Sequence, residues 1–146
     1  MERLRQQLRR VVPKSMRPRI QQLVASARPY DLTFIGKVYG TDKASAHLGY
    51  TTIYEGFFRR RRRQRLAILE IGVGGTTPEE GGASLRMWRT YFPKARIVGV
   101  DIMAKHLEEP RITVLTGDQR DDKFLERLAA EHGPFDVIID DGSHRA

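Results

Sequence analysis

Glu70, Asp101, Asp118 and the Asp140–Asp141 pair each close a short apolar run, in LAILE, RIVGVD, ITVLTGD and FDVIIDD. One acid at the end of a strand is usually a helix cap or a solvated surface group. Four such ends in succession place carboxylates along one rim of a sheet, where a ligand rich in hydroxyls is recognised. Asp101 is placed to accept hydrogen bonds from both hydroxyls of a ribose, and the Gly117-Asp118-Gln119 turn stands where an adenine edge would be read. After Glu70 comes Gly72-Val73-Gly74-Gly75. Glycines at such a bend let the backbone turn sharply and approach a ligand with no Cβ in the way.

The spacing separates two classes of nucleoside cofactor. A dinucleotide site needs G-x-G-x-x-G opening directly into a helix, whose N-terminus faces the pyrophosphate. Here Gly72 and Gly74 are followed by Thr77, and the loop continues through Glu79 and Glu80. Acids there would repel a pyrophosphate. S-adenosylmethionine carries a sulfonium and no phosphate, so an acidic, glycine-lined pocket suits it better, and methyl transfer is favoured over NAD-dependent oxidoreduction.

These residues must be held by a regular frame. Leu66–Ile71 is expected to be a buried strand, with GVGGTTPEEGGAS a long loop and SLRMWRTYF a helix capped by Ser84 and carrying Leu85, Trp88 and Phe92 on one face. ARIVGVD and RITVLTGD follow as strands, DDKFLERLAAEHG as a helix stopped by Gly133, and FDVIID as a fourth strand. Near-continuous apolar strands alternating with helices mean an α/β fold: a Rossmann-like parallel sheet of about four strands with helices on both faces, preceded by N-terminal helices.

Three regions are expected. Residues 1–30 form basic amphipathic helices interrupted at Pro13 and Pro18, with Leu4, Leu8 and Val11, then Ile20, Leu23 and Val24, on their apolar faces. Residues 31–65 form a helical cap on the substrate side, in which Gly40 bends the YGTDK turn, Thr41 or Asp42 caps a helix, and Tyr50, Tyr54, Phe57 and Phe58 make core contacts. Residues 66–146 form a partial Rossmann-like S-adenosylmethionine-binding domain.

The 146 residues suit one packed core, and the 40% hydrophobic and 30% charged residues suit a globular protein. No apolar run is long enough to span a membrane, and the basic N-terminus lacks the features of a secretory signal. With no cysteine, disulfides and thiolate metal sites are excluded, which fits a cytoplasmic location. The net charge of +8 divides into +7 over residues 1–29, +5 over 30–65 and −4 over 66–146. The excess is therefore absent from the glycine-bearing half. The Arg59–Arg63 run reads as a solvated helix end, since on a helix it points all round; a nucleic-acid-binding module or an RNA methyltransferase using that run is the alternative, an NAD-dependent oxidoreductase a second, and a non-catalytic remnant a third.

YGTDKASAHLGYTTIYEGFF, LEIGVGGTTPEEGGASLRMWRTYFP, ARIVGVDI, RITVLTGDQRD and FDVIIDDGSH together resemble the class I S-adenosylmethionine-dependent methyltransferases, and among them the metal-dependent sugar O-methyltransferases of macrolide and anthracycline-type pathways. The resemblance spans residues 36–144. It implies that Glu70, Gly72 and Gly74 border the methionine portion of the cofactor, that Ser84 stands near its carboxylate, that Asp101 holds the ribose, and that Asp118 and Gln119 lie at the adenine. It implies that Asp141 is a Mg2+ ligand and His144 the general base. The chemistry agrees: Mg2+ binds through one or two carboxylates, lowers the pKa of a bound hydroxyl, and leaves a nearby imidazole to take the proton. The acceptor implied is a small molecule or glycoside, with no nucleic acid, and the amphipathic N-terminus makes a homo-oligomer the expected assembly. Members of the family continue with a further strand and a Glu-Asp pair that completes the metal shell, so the chain is expected to be an incomplete N-terminal portion whose fourth strand is an open edge.

Overall fold

The computed structural model describes residue 6, residues 12–47 and residues 49–142. Four parallel strands, β1 (Ala67–Ile71), β2 (Arg96–Asp101), β3 (Ile112–Thr116) and β4 (Val137–Asp140), form a sheet of order β3-β2-β1-β4. The helices are α1 (Arg17–Ser26), α2 (Leu32–Tyr39), α3 (Tyr50–Phe58), α4 (Ala83–Tyr91) and α5 (Asp122–His132), with short 3-10 turns at Lys14–Met16 and Asp42–Ala44. The sheet grows from β1 in both directions. That reversal opens a crevice at the carboxyl ends of β1 and β4, where open α/β sheets bind ligands.

Two cores cover the two faces, because side chains alternate across a strand. Ile68 and Ile97 face the larger one, packed with Leu32 and Ile35 of α2 and Leu85, Trp88 and Tyr91 of α4. Leu69, Val98 and Val100 face the smaller one, closed by Leu128 of α5. Asp121 caps α5, accepting hydrogen bonds from Lys123 N and Phe124 N. Central strands are buried as expected, but β4 is an edge strand among the described residues, and Ile138 is 62% exposed.

Several expectations are corrected. Pro18 does not interrupt a helix; it sits in the first turn of α1, where a missing N–H costs nothing. Leu23 is 75% exposed, and Ala25 is instead the fully buried residue of α1. Residues 1–5 and 7–11, with Leu4, Leu8 and Val11, lie outside the described residues. On α3 the aromatics divide: Tyr54 and Phe58 pack on Trp88, whereas Tyr50 and Phe57 are exposed. The arginine run is not uniformly solvated. Arg62 is buried, its guanidinium 4.5 Å from the Tyr30 ring centroid and 5.6 Å from that of Tyr91. Ser84 does not cap α4, because Gly82 occupies the cap position and Ser84 lies inside the helix.

Candidate functional site

A cavity of about 470 Å³ opens at the carboxyl ends of the strands. Its lining includes Gly72, Gly74, Asp101, Asp118, Gln119 and Asp141, six residues spread over 70 positions of sequence. The sheet brings them together because parallel strands end at one edge.

Gly72 leaves β1 with φ 87°, and a Cβ there would stand 2.5 Å from the Asp141 carbonyl oxygen. No other residue fits that backbone conformation and that approach at once. Gly72 N donates to Val100 O (2.8 Å), and Asp141 N donates to Ile71 O (2.8 Å), so the bend is sewn to both neighbouring strands. Asp101 then fixes the loop: one carboxylate oxygen accepts from Val73 N (2.9 Å) and the other from Met103 N (3.0 Å). A carboxylate oxygen has a second lone pair, so Asp101 keeps acceptor capacity toward the cavity it lines.

Asp118 is held by the Arg120 side chain (2.8 Å) and backbone N (2.9 Å), which pulls its carboxyl down to about 2. It is an ionised acceptor already engaged by a cation. The two loop acids that disfavoured a pyrophosphate serve the loop itself. Glu80 accepts from Thr76 N (2.9 Å) and Thr76 Oγ1 (3.0 Å), which lowers its carboxyl, and Glu79 pairs with His106 (3.3 Å).

Glu70 and Ser84 are not part of the cavity lining. Glu70 is fully buried on the α4 face of β1, where Ser84 Oγ (2.6 Å) and Trp88 Nε1 (2.5 Å) donate to it. Its third partner is Lys43 Nζ at 3.2 Å. Lys43, from the Asp42–Ala44 turn, is buried and also bonds the carboxylate of Asp141. Burial pushes the Glu70 carboxyl up, and its three donors only partly offset this. Burial alone would lower the Lys43 ammonium, but Glu70 and Asp141 outweigh it, so the pKa is raised and Lys43 stays protonated.

Lys43 is thus a residue that the sequence left unassigned, and Trp88 one that it placed only on the apolar face of its helix. Their signals were a lysine inside YGTDK and an indole N–H four residues after Ser84, neither of which names a partner. His144 lies outside the described residues. Among the described residues no cluster of three or more His, Asp or Glu stands ready for a metal ion. The oxygen chemistry nevertheless fits a hard cation: Asp141 is 42% exposed at the rim, next to Asp140, whose Oδ1 accepts from Gly142 N (3.0 Å). The cavity likewise fits a nucleoside, with a glycine cradle against the β4 backbone and a carboxylate beneath it.

No protein-family profile matches the chain. The solved MycE methyltransferase from the mycinamycin biosynthetic pathway, in complex with Mg and SAH, superposes with a TM-score of 0.75 at 49% sequence identity, over 78% of this chain and 30% of that one. The chain has the Rossmann-like methyltransferase fold. It is 51% identical over 124 residues to 8-demethyl-8-(2-methoxy-alpha-L-rhamnosyl)-tetracenomycin-C 3'-O-methyltransferase of Streptomyces olivaceus, covering 84% of this chain and 32% of the relative. It is 48% identical over 120 residues to mycinamicin VI 2''-O-methyltransferase of Micromonospora griseorubida, covering 81% and 30%. This methyltransferase-fold chain therefore resembles sugar O-methyltransferases of macrolide and tetracenomycin pathways, and spans about a third of the length of these relatives. Among the described residues no helix is long and apolar enough to cross a membrane.

Proposed function

We propose that the chain is the S-adenosylmethionine-binding portion of an O-methyltransferase that acts on a sugar hydroxyl of a natural product or glycan. The observation that carries this is the rim cavity, in which Gly72, Gly74 and Asp101 stand together beneath a space of nucleoside size. Another crystal structure of MycE, with Mg, SAH and mycinamycin VI, matches at the same 49% identity and supports a glycoside acceptor.

In this reading Asp101 accepts from the ribose hydroxyls, Gly72 and Gly74 admit the methionine portion, and Asp118 and Gln119 border the adenine. Glu70 and Ser84 act from behind the glycine bend, fixing β1 against α4. Asp141 would hold Mg2+ and His144 would take the acceptor proton. When bound, S-adenosylmethionine supplies the methyl group and Mg2+ acidifies the acceptor hydroxyl. Residues 31–65 form the cap beside the acceptor and residues 66–146 the cofactor-binding domain, with residues 1–30 preceding them. The absence of cysteine supports a cytoplasmic location, and self-association is tested by light scattering.

Calorimetry with S-adenosylhomocysteine tests the main reading. The chain is expected to bind it, and Asp101→Ala to weaken binding about 10-fold or more, since hydrogen bonds to a charged group contribute about 1.5–3 kcal/mol. No binding by the unaltered chain, or equal binding by Asp101→Ala, would refute it. An Arg59–Arg63 nucleic-acid module is disfavoured by the burial of Arg62 against two tyrosines.

A further inference from the structure

Lys43 carries two carboxylates that the chain presents 71 residues apart. Its Nζ lies 3.2 Å from Glu70 Oε1 and also bonds Asp141 Oδ2. The geometry differs sharply at the two ends. Glu70 is fully buried, and Lys43 is 3% exposed, but Asp141 is 42% exposed and stands on the cavity wall. One ammonium thus links the inside of the larger core to the rim.

We propose that Lys43 is a positioning residue: anchored on buried Glu70, it fixes the Asp141 carboxylate at the mouth of the cavity and holds the end of β4 against the glycine bend. This rests on the proposed reading of that rim as a cofactor and metal site, and adds a residue to it.

Three observations support a positioning role over simple charge balance. First, Glu70 has neutral donors in Ser84 and Trp88, so it is not held by Lys43 alone. Second, the turn that carries Lys43 is itself rigidly set. Gly40 closes α2 with φ 79°, Thr41 N donates to Gly36 O (3.2 Å), and Asp42 Oδ1 accepts from Lys43 N (2.9 Å). The ammonium therefore emerges from a fixed base. Third, the Asp141 backbone is packed where any displacement is felt, with its carbonyl oxygen against Gly72 and its N–H on Ile71 O. Anchoring the side chain limits the freedom of the same residue whose backbone borders the cofactor loop. A carboxylate held by one oxygen keeps its other oxygen for a ligand.

The test is built so that charge imbalance does not obscure it. The Glu70→Gln variant removes the anchoring carboxylate and leaves the ammonium, so it reads the anchor by itself. In Glu70→Gln/Lys43→Met both buried charges are removed, which a packed core tolerates far better than one orphan charge. Hydrogen–deuterium exchange of both variants is compared with that of the unaltered chain. The amides of Asp141 and Gly142 are expected to exchange about 10-fold faster in the double variant than in the unaltered chain, with β2 amides unchanged. Equal rates at 141–142, or a uniform acceleration across the sheet, would overturn the positioning role.

A second arm titrates Mn2+ into the same proteins by electron paramagnetic resonance. The double variant is expected to bind Mn2+ about 10-fold more weakly than the unaltered chain. Equal binding would mean that Lys43 does not set the Asp141 ligand, tighter binding that it opposes the metal by its charge, and either would overturn the proposal. If even the unaltered chain binds no Mn2+, the metal reading of Asp141 fails, and the exchange arm alone decides the role of Lys43.

Discussion

Replacing Lys43 by Met alone tests the energetic basis of the site. Glu70 is the largest acid buried completely among the described residues, with Lys43 3.2 Å away as its cationic partner. Removing the ammonium leaves Ser84 and Trp88 to face a buried carboxyl that either stays ionised without its cation or takes up a proton. Breaking one partner of a buried pair costs about 3–5 kcal/mol, because the remaining charge is uncompensated. Two neutral hydrogen bonds remain, which places the expected loss at the lower end, about 3 kcal/mol. Domains of this kind are stable by about 5–15 kcal/mol, so Lys43→Met is expected to fold with a clearly lower urea midpoint. The double variant with Glu70→Gln is expected to recover most of the loss. Urea denaturation followed by Trp88 fluorescence reads both. A loss below about 1 kcal/mol for Lys43→Met, or a double variant no more stable than the single, would refute the argument that Glu70 depends on Lys43.

Gly72→Ala is expected to destabilise the chain and abolish S-adenosylhomocysteine binding, since φ is 87° and the new methyl would lie 2.5 Å from Asp141 O; thermal melts and calorimetry check this. Trp88→Ala is expected to cost about 3–5 kcal/mol in a denaturant titration, for it is fully buried and also donates to Glu70. Arg62→Gln is expected to lose about 1 kcal/mol of urea stability through its contacts with Tyr30 and Tyr91, whereas exposed Arg60→Gln is neutral. The folded-state carboxyl of Asp118 titrates at about 2, below its ordinary 3.8. Its contribution is therefore present above pH 3.8 and is lost as pH falls toward 2. Asp118→Asn should flatten the fall in stability over that window, measured by acid titration of the circular dichroism signal.

Patterns repeated in the chain were readable without coordinates. The apolar runs closed by Glu70, Asp101, Asp118 and Asp140 marked four strands, most plainly β1 and β2, which are central and apolar on both sides. The glycine bend and the Asp101 position followed from the same frame, since ligands meet such sheets at the carboxyl ends. Even the preference for a sulfonium nucleoside over a dinucleotide came from spacing, in the missing third glycine and the acids of the loop. What spacing does not carry is which buried polar groups choose each other. Glu70 was placed at the cofactor, yet its side chain turns into the α4 core, because residues alternate across β1 and its register puts Glu70 on the face of Ile68. Ser84 looked like a helix cap, but Gly82 took that position, and the hydroxyl went to Glu70.

The sequence by itself determined the order of strands and helices and which strand ends carry acids, since these depend on local periodicity and composition. Only the tertiary structure decided that Lys43, from a turn before the sheet begins, stands between Glu70 and Asp141, and that one arginine of five is buried. Those are long-range pairings. They are set by how whole layers pack, and a buried charge takes whatever partner the packing brings within a few ångströms.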